Sequence, residues 1–128
     1  MHISPLKQEA LAIVEQLELF TLLAPYGHAE LVGSVVLDLI VKRDIDIHII
    51  AKNPALITQA TQLAGLFLEN PAITTIRISP YRTMPHGAQA LHLALDNISG
   101  PSGLWSIDLW LATDKAITGI EKTKYLQE

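Results

Sequence analysis

Residues 31–50 read LVGSVVLDLIVKRDIDIHII, and this stretch combines a Gly-Ser pair with an alternation of aspartate and isoleucine. Near its end, two carboxylates, Asp44 and Asp46, are separated by one isoleucine and followed by His48. Because successive side chains of a β-strand point to opposite faces, these three polar side chains are predicted to share one face. The isoleucines between them are predicted to lie buried under helices on the other face. The two carboxylates would then be about 7 Å apart along the strand.

The Gly33-Ser34 pair near the start of the stretch predicts a phosphate-binding turn. Glycine lets the chain turn tightly and lets a ligand approach the backbone closely. Ser34 can cap the helix that follows, which leaves backbone N–H groups at the positive helix end, where a phosphate binds. Asp44 and Asp46 repel each other, and a divalent cation with a preference for oxygen, such as Mg²⁺, relieves that repulsion. Together these features indicate a site for a metal-bound nucleoside triphosphate.

The spacing of these motifs resembles the signature of the nucleotidyltransferase superfamily of the DNA polymerase β type. That signature is Gly-Ser or Gly-Gly, an intervening segment, and Asp-x-Asp or Asp-x-Glu between apolar residues. In this chain it reads Gly33-Ser34, nine residues, and Asp44-Ile45-Asp46. The resemblance covers residues 31–111 and implies a minimal single domain of that fold.

Members of this superfamily also carry a third carboxylate on a later strand, beside the Asp-x-Asp strand. Asp108, flanked by apolar residues in LWSIDLWL, matches that pattern. The resemblance implies that Asp44 and Asp46 hold two Mg²⁺ ions, that Asp108 holds one of them, and that Asp108 draws the proton from the attacking hydroxyl. Trp110 shares the predicted face of Asp108. Packing in or near the core is the expectation for this ring, and stacking on a base is the alternative.

Several other polar side chains are candidates with simpler interpretations. Lys42 and Arg43 could neutralise the phosphates of a nucleotide, whereas charge at the end of a helix is the simpler explanation. His48 could touch a metal-bound phosphate, although a half-exposed strand histidine is expected. His86 and His92 lack a ligand-like spacing with a carboxylate partner, so a zinc site is not expected.

Composition bounds the class of protein. The chain has 128 residues, 49% hydrophobic and 17% charged, which predicts one globular domain. No apolar run reaches the roughly 18 residues of a membrane span, and no secretory signal is recognisable. The absence of cysteine excludes disulfides, thiol catalysis and thiolate zinc sites, and fits a cytoplasmic protein. A net charge of −4 argues against a broad electrostatic surface for nucleic acid.

The periodicity along the chain predicts an α+β fold, with a small mixed β-sheet and flanking helices. The last two strands are close in sequence and are expected to form an antiparallel hairpin. The predicted elements are a helix over 4–20, a strand over 31–32, a helix over 35–41, a strand over 44–50, a helix over 53–68, strands over 73–79, 91–96 and 104–111, and a helix that begins at 113 or 114.

The function expected from these patterns is transfer of a nucleoside monophosphate from a triphosphate to a hydroxyl of a small molecule or a protein. Larger members of the superfamily hold the acceptor in an additional domain, which the resemblance does not extend to here, so a homodimer or a partner protein is expected to complete the site. A non-catalytic, antitoxin-like module of the same fold, which acts through a partner protein, is the alternative. A structural domain with a merely amphipathic charged strand is a third interpretation.

Overall fold

The computed structural model describes residues 4–33, 35, 42–81 and 89–113. Within these ranges the elements are α1 (Pro5–Gln16), α2 (Leu19–Leu23), β1 (Gly27–Val32), β2 (Asp44–Ala51), α3 (Leu56–Leu68), β3 (Thr75–Tyr81), β4 (Ala90–Gly100) and β5 (Gly103–Ala112). The predicted helices over 35–41 and after 113 lie outside the described residues, apart from Val35, which is helical and fully buried.

The five strands form one mixed sheet in the order β1-β2-β5-β4-β3. Strand β2 pairs with β5 in parallel, and the other neighbouring strands pair antiparallel. The predicted α+β class with a small mixed sheet is confirmed, as is the antiparallel hairpin of the last two strands. The parallel pair matters most here, because it places the Asp-x-Asp strand directly beside the strand that carries Asp108.

The first helical segment consists of two helices and not of the single helix predicted to reach residue 20. Helix α1 begins as expected, with the Ser4 Oγ accepting a hydrogen bond from the Lys7 N–H and proline at the first helical position. It ends at Gln16, and Glu18 adopts a left-handed backbone with φ of +54°. An α-helix of L-residues cannot continue through that conformation, so the chain turns and starts α2.

The core lies on one face of the sheet, beneath the helices. Ile45, Ile47 and Ile49 of β2 are completely buried, whereas Asp44 and Asp46 between them are partly exposed. The predicted division of this strand into an isoleucine face and an aspartate face is therefore confirmed. The isoleucines share one apolar cluster with helical side chains, which include Ala10, Ile13, Leu19, Leu23, Leu63 and Phe67.

Glu9 joins α1 to the turn between β4 and β5. Its Oε2 accepts hydrogen bonds from the Trp105 Nε1 at 2.6 Å, from the Ser102 Oγ at 2.9 Å and from the Ser102 N at 3.2 Å. The hydrogen bond from Trp105 is the main reason why the pKa of Glu9 lies below its ordinary value. Trp105 is almost completely buried, so water cannot readily accept a hydrogen bond from its indole N–H. The Glu9 carboxylate provides the acceptor that this buried N–H needs.

None of the helices in the part of the chain that the structure describes is long and apolar enough to cross a membrane.

Candidate functional site

The register of the sheet brings Asp44, Asp46 and Asp108 to one face, which Asp96 shares. Asp46 of β2 lies directly opposite Asp108 of β5, and Asp44 lies opposite Ser106. Side chains two residues apart along one strand point to the same face of the sheet. Side chains of directly opposite residues on neighbouring strands also point to the same face. We call this surface the polar face, and its side chains on the four strands β2 to β5 include Asp44, Asp46, His48, Arg77, His92, Asp96, Ser106, Asp108 and Trp110.

Burial and neighbouring charges on the polar face act on the carboxyl group of Asp44. The pKa of Asp44 is raised above its ordinary value, chiefly because the group is partly buried and next because of the negative charge of Asp108. The positive charge of Lys42 acts in the opposite direction on the same carboxyl. An additional positive charge on this surface would therefore stabilise ionised Asp44.

The donor chemistry of the three carboxylates suits a hard cation, but their side chains do not form a ready ligand set. Oxygen ligands with negative charge are those that Mg²⁺ prefers. Across residues 4–33, 35, 42–81 and 89–113, no three histidine, aspartate or glutamate side chains are grouped closely enough to hold a metal ion. A cation at this site would have to draw the carboxylates of Asp44, Asp46 and Asp108 together.

The side chain in direct contact with Asp108 is His92 of β4. Its Nε2 lies 2.7 Å from the Asp108 Oδ1, and the two side chains are only 12% and 24% exposed. The imidazole also packs on Trp110, with ring centroids 4.5 Å apart and a 30° angle between the planes. In the sequence, His92 was a candidate only for a zinc site, and its contact with Asp108 was not predicted. The alternation of Leu91, His92 and Leu93 was the available signal, because it put the histidine on the polar side of its strand.

A second cluster of polar side chains lies beside the three aspartates, and it is formed by Arg77 of β3, Asp96 of β4 and Ser106 of β5. Arg77 donates from Nε to the Asp96 Oδ2 and from Nη2 to the Asp96 Oδ1, and the Ser106 hydroxyl donates to the same Oδ1 at 3.2 Å. The hydrogen bond from Arg77 is the main cause of the lowered pKa of Asp96. The charge of Asp108 also contributes to the raised pKa of Arg77. The polar face therefore combines the carboxylates with a guanidinium whose field reaches Asp108.

The predicted phosphate-binding turn is described as far as Gly33. This glycine is buried and has φ of +77°, a left-handed conformation that glycine adopts without strain. It directly follows Val32, the partner of Asp46 in the β1–β2 pair, so the turn adjoins the aspartates of β2. Ser34, the other half of the motif, lies outside the described residues.

The two basic residues before β2 have different surroundings. Lys42 is exposed and its charge reaches Asp44. Arg43 is also exposed, but its Nε donates to the Ser102 hydroxyl at 2.8 Å, so this guanidinium contacts the turn between β4 and β5.

The expectation of a half-exposed His48 was wrong, because this side chain is only 5% exposed. It lies on an interior strand, with Glu30 of β1 and Trp110 of β5 as its direct partners on the two sides. Neither a protein-family model nor a curated protein sequence matches this chain.

Proposed function

We propose that the chain is a metal-dependent nucleotidyltransferase domain, which moves a nucleoside monophosphate from a triphosphate to a hydroxyl. The observation that carries the proposal is the parallel register of β2 and β5, with Asp46 directly opposite Asp108. The effect of Asp108 on the pKa of Asp44 supports it, because a bound cation would offset the negative charge that raises this pKa.

The roles of the residues follow from their positions and from the resemblance to nucleotidyltransferases. Asp44 and Asp46 would hold two Mg²⁺ ions, and Asp108 would hold one of them. When bound, the metal ions neutralise the charge that develops on the transferred phosphoryl group. Asp108 would accept the proton of the attacking hydroxyl. A buried glycine at positive φ beside β2 supports a close approach of the triphosphate to Gly33, and Lys42 adds positive charge there.

The nucleotidyltransferase-like character of the fold belongs to the same proposal. Its support is the succession of a strand, the Gly33-Ser34 pair of the sequence and the Asp-x-Asp strand, followed by a later strand that pairs in parallel and carries a third aspartate. The acceptor hydroxyl, on a small molecule or on a protein, would be presented in a homodimer cleft or by a partner protein.

A second candidate is a module of this kind without catalytic activity, which acts through a partner protein. The contact that favours it is the 2.7 Å approach of His92 to Asp108, because the imidazole takes up one oxygen of the carboxylate that should bind metal. The absence of a ready set of three ligands among the described residues also agrees with this candidate.

Thermal melting with nucleoside triphosphates separates the candidates. A ligand that binds only the folded protein raises the melting temperature in proportion to the logarithm of its concentration. The proposal expects stabilisation that requires both Mg²⁺ and a triphosphate, and that disappears in the Asp46→Asn variant. Stabilisation by neither would refute it and would leave the partner-dependent module as the better account.

A further inference from the structure

The hydrogen bonds between β1 and β2 determine which backbone groups of β1 face outward. The Lys52 N–H donates to the Tyr26 C=O at 3.0 Å, and these two residues lie opposite each other in the register of the strand pair. Hydrogen-bonded and non-hydrogen-bonded pairs alternate along an antiparallel ladder. Counting from Tyr26, every second residue bonds to β2, whereas Ala29 and Leu31 direct their N–H and C=O groups away from it.

This outward row of backbone groups has no partner strand among the residues that the structure describes, because β1 lies at one end of the strand order. Ala29 and Leu31 are partly exposed, so this side of β1 is accessible. The strand contains neither proline nor lysine, which commonly keep the edge of a sheet from pairing with another chain. The edge of β1 is therefore open to a further strand.

The other edge of the sheet, β3, is less suited to pairing. The Thr113 N–H donates to the Gln89 C=O, and by the same alternation the backbone of Leu91 bonds to β5. Pro80 lies opposite Leu91, so its own backbone faces outward. Proline has no N–H, and this edge therefore lacks one of the donors that a further strand would need.

The side chains of β1 suit a second copy of the same strand. His28 and Glu30 have 72% and 55% of their side chains exposed, and they lie on either side of Ala29. When two such strands pair antiparallel about Ala29, each His28 lies directly opposite Glu30 of the other copy. An imidazole N–H can donate to a carboxylate whether the ring is neutral or protonated, so both cross-strand contacts are favourable.

The same two side chains discriminate among the possible registers. The ladder forms only when residues with outward-facing backbone groups lie opposite one another. An axis at Glu30 satisfies that condition but places two carboxylates opposite each other, which is unfavourable. An axis at His28 places two imidazoles opposite each other. The axis at Ala29 pairs an imidazole with a carboxylate twice, so it is the favoured register.

We propose that two copies of this chain pair antiparallel through β1 about a two-fold axis at Ala29, with His28 of each copy opposite Glu30 of the other. Glu30 lies opposite His48, which belongs to the polar face, so the dimer joins the polar faces of both copies into one surface. The two β2 strands are then three strand spacings apart, about 14 Å. The inference goes beyond the proposed function and does not rest on it, because the edge of β1 carries it.

The test is sedimentation equilibrium of the full chain over a range of concentrations, with two charge variants. His28→Glu gives its own dimer two contacts between carboxylates, and Glu30→Lys leaves each His28 opposite an ammonium group. A dimer with one copy of each variant has one contact between the new carboxylate and the new ammonium group, and one original contact. Glu69→Lys is the matched control, because it makes the same change of charge as Glu30→Lys at an exposed position at the end of α3.

We expect the unmodified protein and Glu69→Lys to dimerise reversibly. His28→Glu and Glu30→Lys, each alone, should dimerise at least about tenfold more weakly, and their equimolar mixture should return to within a few-fold of the unmodified protein. A dimer that the two variants do not weaken, or that their mixture does not restore, would overturn pairing through β1. An unmodified protein that stays monomeric at millimolar concentration would overturn the inference but not the proposed function, because a partner protein can present the acceptor.

Hydrogen exchange of the unmodified protein tests the same pairing without substitutions. The amides of Ala29 and Leu31 should exchange more slowly as the protein concentration rises, because the second copy accepts their hydrogen bonds. Exchange at these two amides that does not depend on concentration, in a protein that dimerises, would place the interface elsewhere and overturn the inference.

Discussion

Asp46 and Asp108 lie directly opposite each other on two parallel strands, although 61 residues separate them in the chain. Strand pairing fixes the separation of their backbones, so two carboxylates of like charge lie on the same face of the sheet on neighbouring strands. Such an arrangement is unfavourable unless a cation or a proton compensates it.

Replacement of Asp46 by asparagine should abolish Mg²⁺-dependent binding of a triphosphate and leave the fold intact. Asparagine keeps the size of the side chain and one carbonyl oxygen but removes the charge that attracts the cation. The isoleucine face of β2 is not touched, so core packing should not change. Calorimetric titration with triphosphate and Mg²⁺ measures the loss, and Glu30→Gln on the adjacent strand serves as the control. Normal binding by Asp46→Asn would place the site elsewhere, and an unfolded variant would make Asp46 a structural residue.

Replacement of Asp44 by asparagine should stabilise the metal-free protein at neutral pH. The pKa of Asp44 is raised above 3.8 in the folded state, chiefly by burial and next by Asp108, so the folded protein holds this proton more tightly than the unfolded chain. The stability that Asp44 contributes is therefore fully present below pH 3.8 and is lost as the pH rises through the raised pKa.

Urea unfolding in the presence of a chelator, from acidic to neutral pH, measures this effect. The gain of Asp44→Asn over the unmodified protein should increase with pH and then level off above the raised pKa. Added Mg²⁺ should reduce the difference, because it stabilises the protein that retains the carboxylate. A difference that is constant with pH, or that decreases as the pH rises, would contradict the expectation.

Replacement of Gly33 by alanine should destabilise the protein by about 1–2 kcal/mol, because an L-residue is strained at positive φ. The φ of +77° at Gly33 lies in that left-handed region. Gly65 provides the control, since it is exposed in α3 and an added methyl group would meet no atom within 4 Å. Gly65→Ala should stabilise the helix by roughly 0.5–1 kcal/mol. Equal effects of the two substitutions in denaturant unfolding would show that the turn does not need glycine.

Replacement of Glu9 by leucine should lower the melting temperature by several degrees, whereas Glu9→Gln should be much milder. Leucine leaves the buried indole N–H of Trp105 without an acceptor, and glutamine keeps an oxygen for it. Because the pKa of Glu9 is lowered from 4.5, the stabilisation from this carboxylate is present above that pH and is lost as the pH falls through the lowered value. Thermal melting of both variants, alone and combined with Trp105→Phe, tests the link. Additive effects in the combined variants would mean that the hydrogen bond contributes nothing.

The sequence predicts β2 well because its alternation of isoleucine with polar residues admits one arrangement on a half-buried strand. The predicted single helix over 4–20 is wrong because Glu18 adopts a left-handed backbone that separates α1 from α2. No pattern in the neighbouring residues indicates this conformation for a glutamate. The expected half-exposure of His48 is also wrong, because the residues beside this histidine are set by the order of the strands, which the pattern within one strand does not specify.

The contacts within the candidate site are likewise not specified by the pattern of residues within single strands. Alternation within each strand places Asp108 and His92 on polar sides of β5 and β4, but their contact is a matter of register between strands. Register follows from the turn between β4 and β5 and from the bulge between Leu95 and Ile98, neither of which the pattern of single residues specifies.

The proposed metal site is tested by a crystal structure of the protein with Mn²⁺ and a triphosphate that cannot be hydrolysed, in which anomalous scattering locates the metal. We expect Mn²⁺ within about 2.2 Å of carboxylate oxygens of Asp44, Asp46 and Asp108, close to the distances that Mg²⁺ adopts, with the triphosphate phosphates against the turn at Gly33. Anomalous signal and triphosphate located away from these three carboxylates, at a metal concentration that saturates binding in solution, would contradict the account.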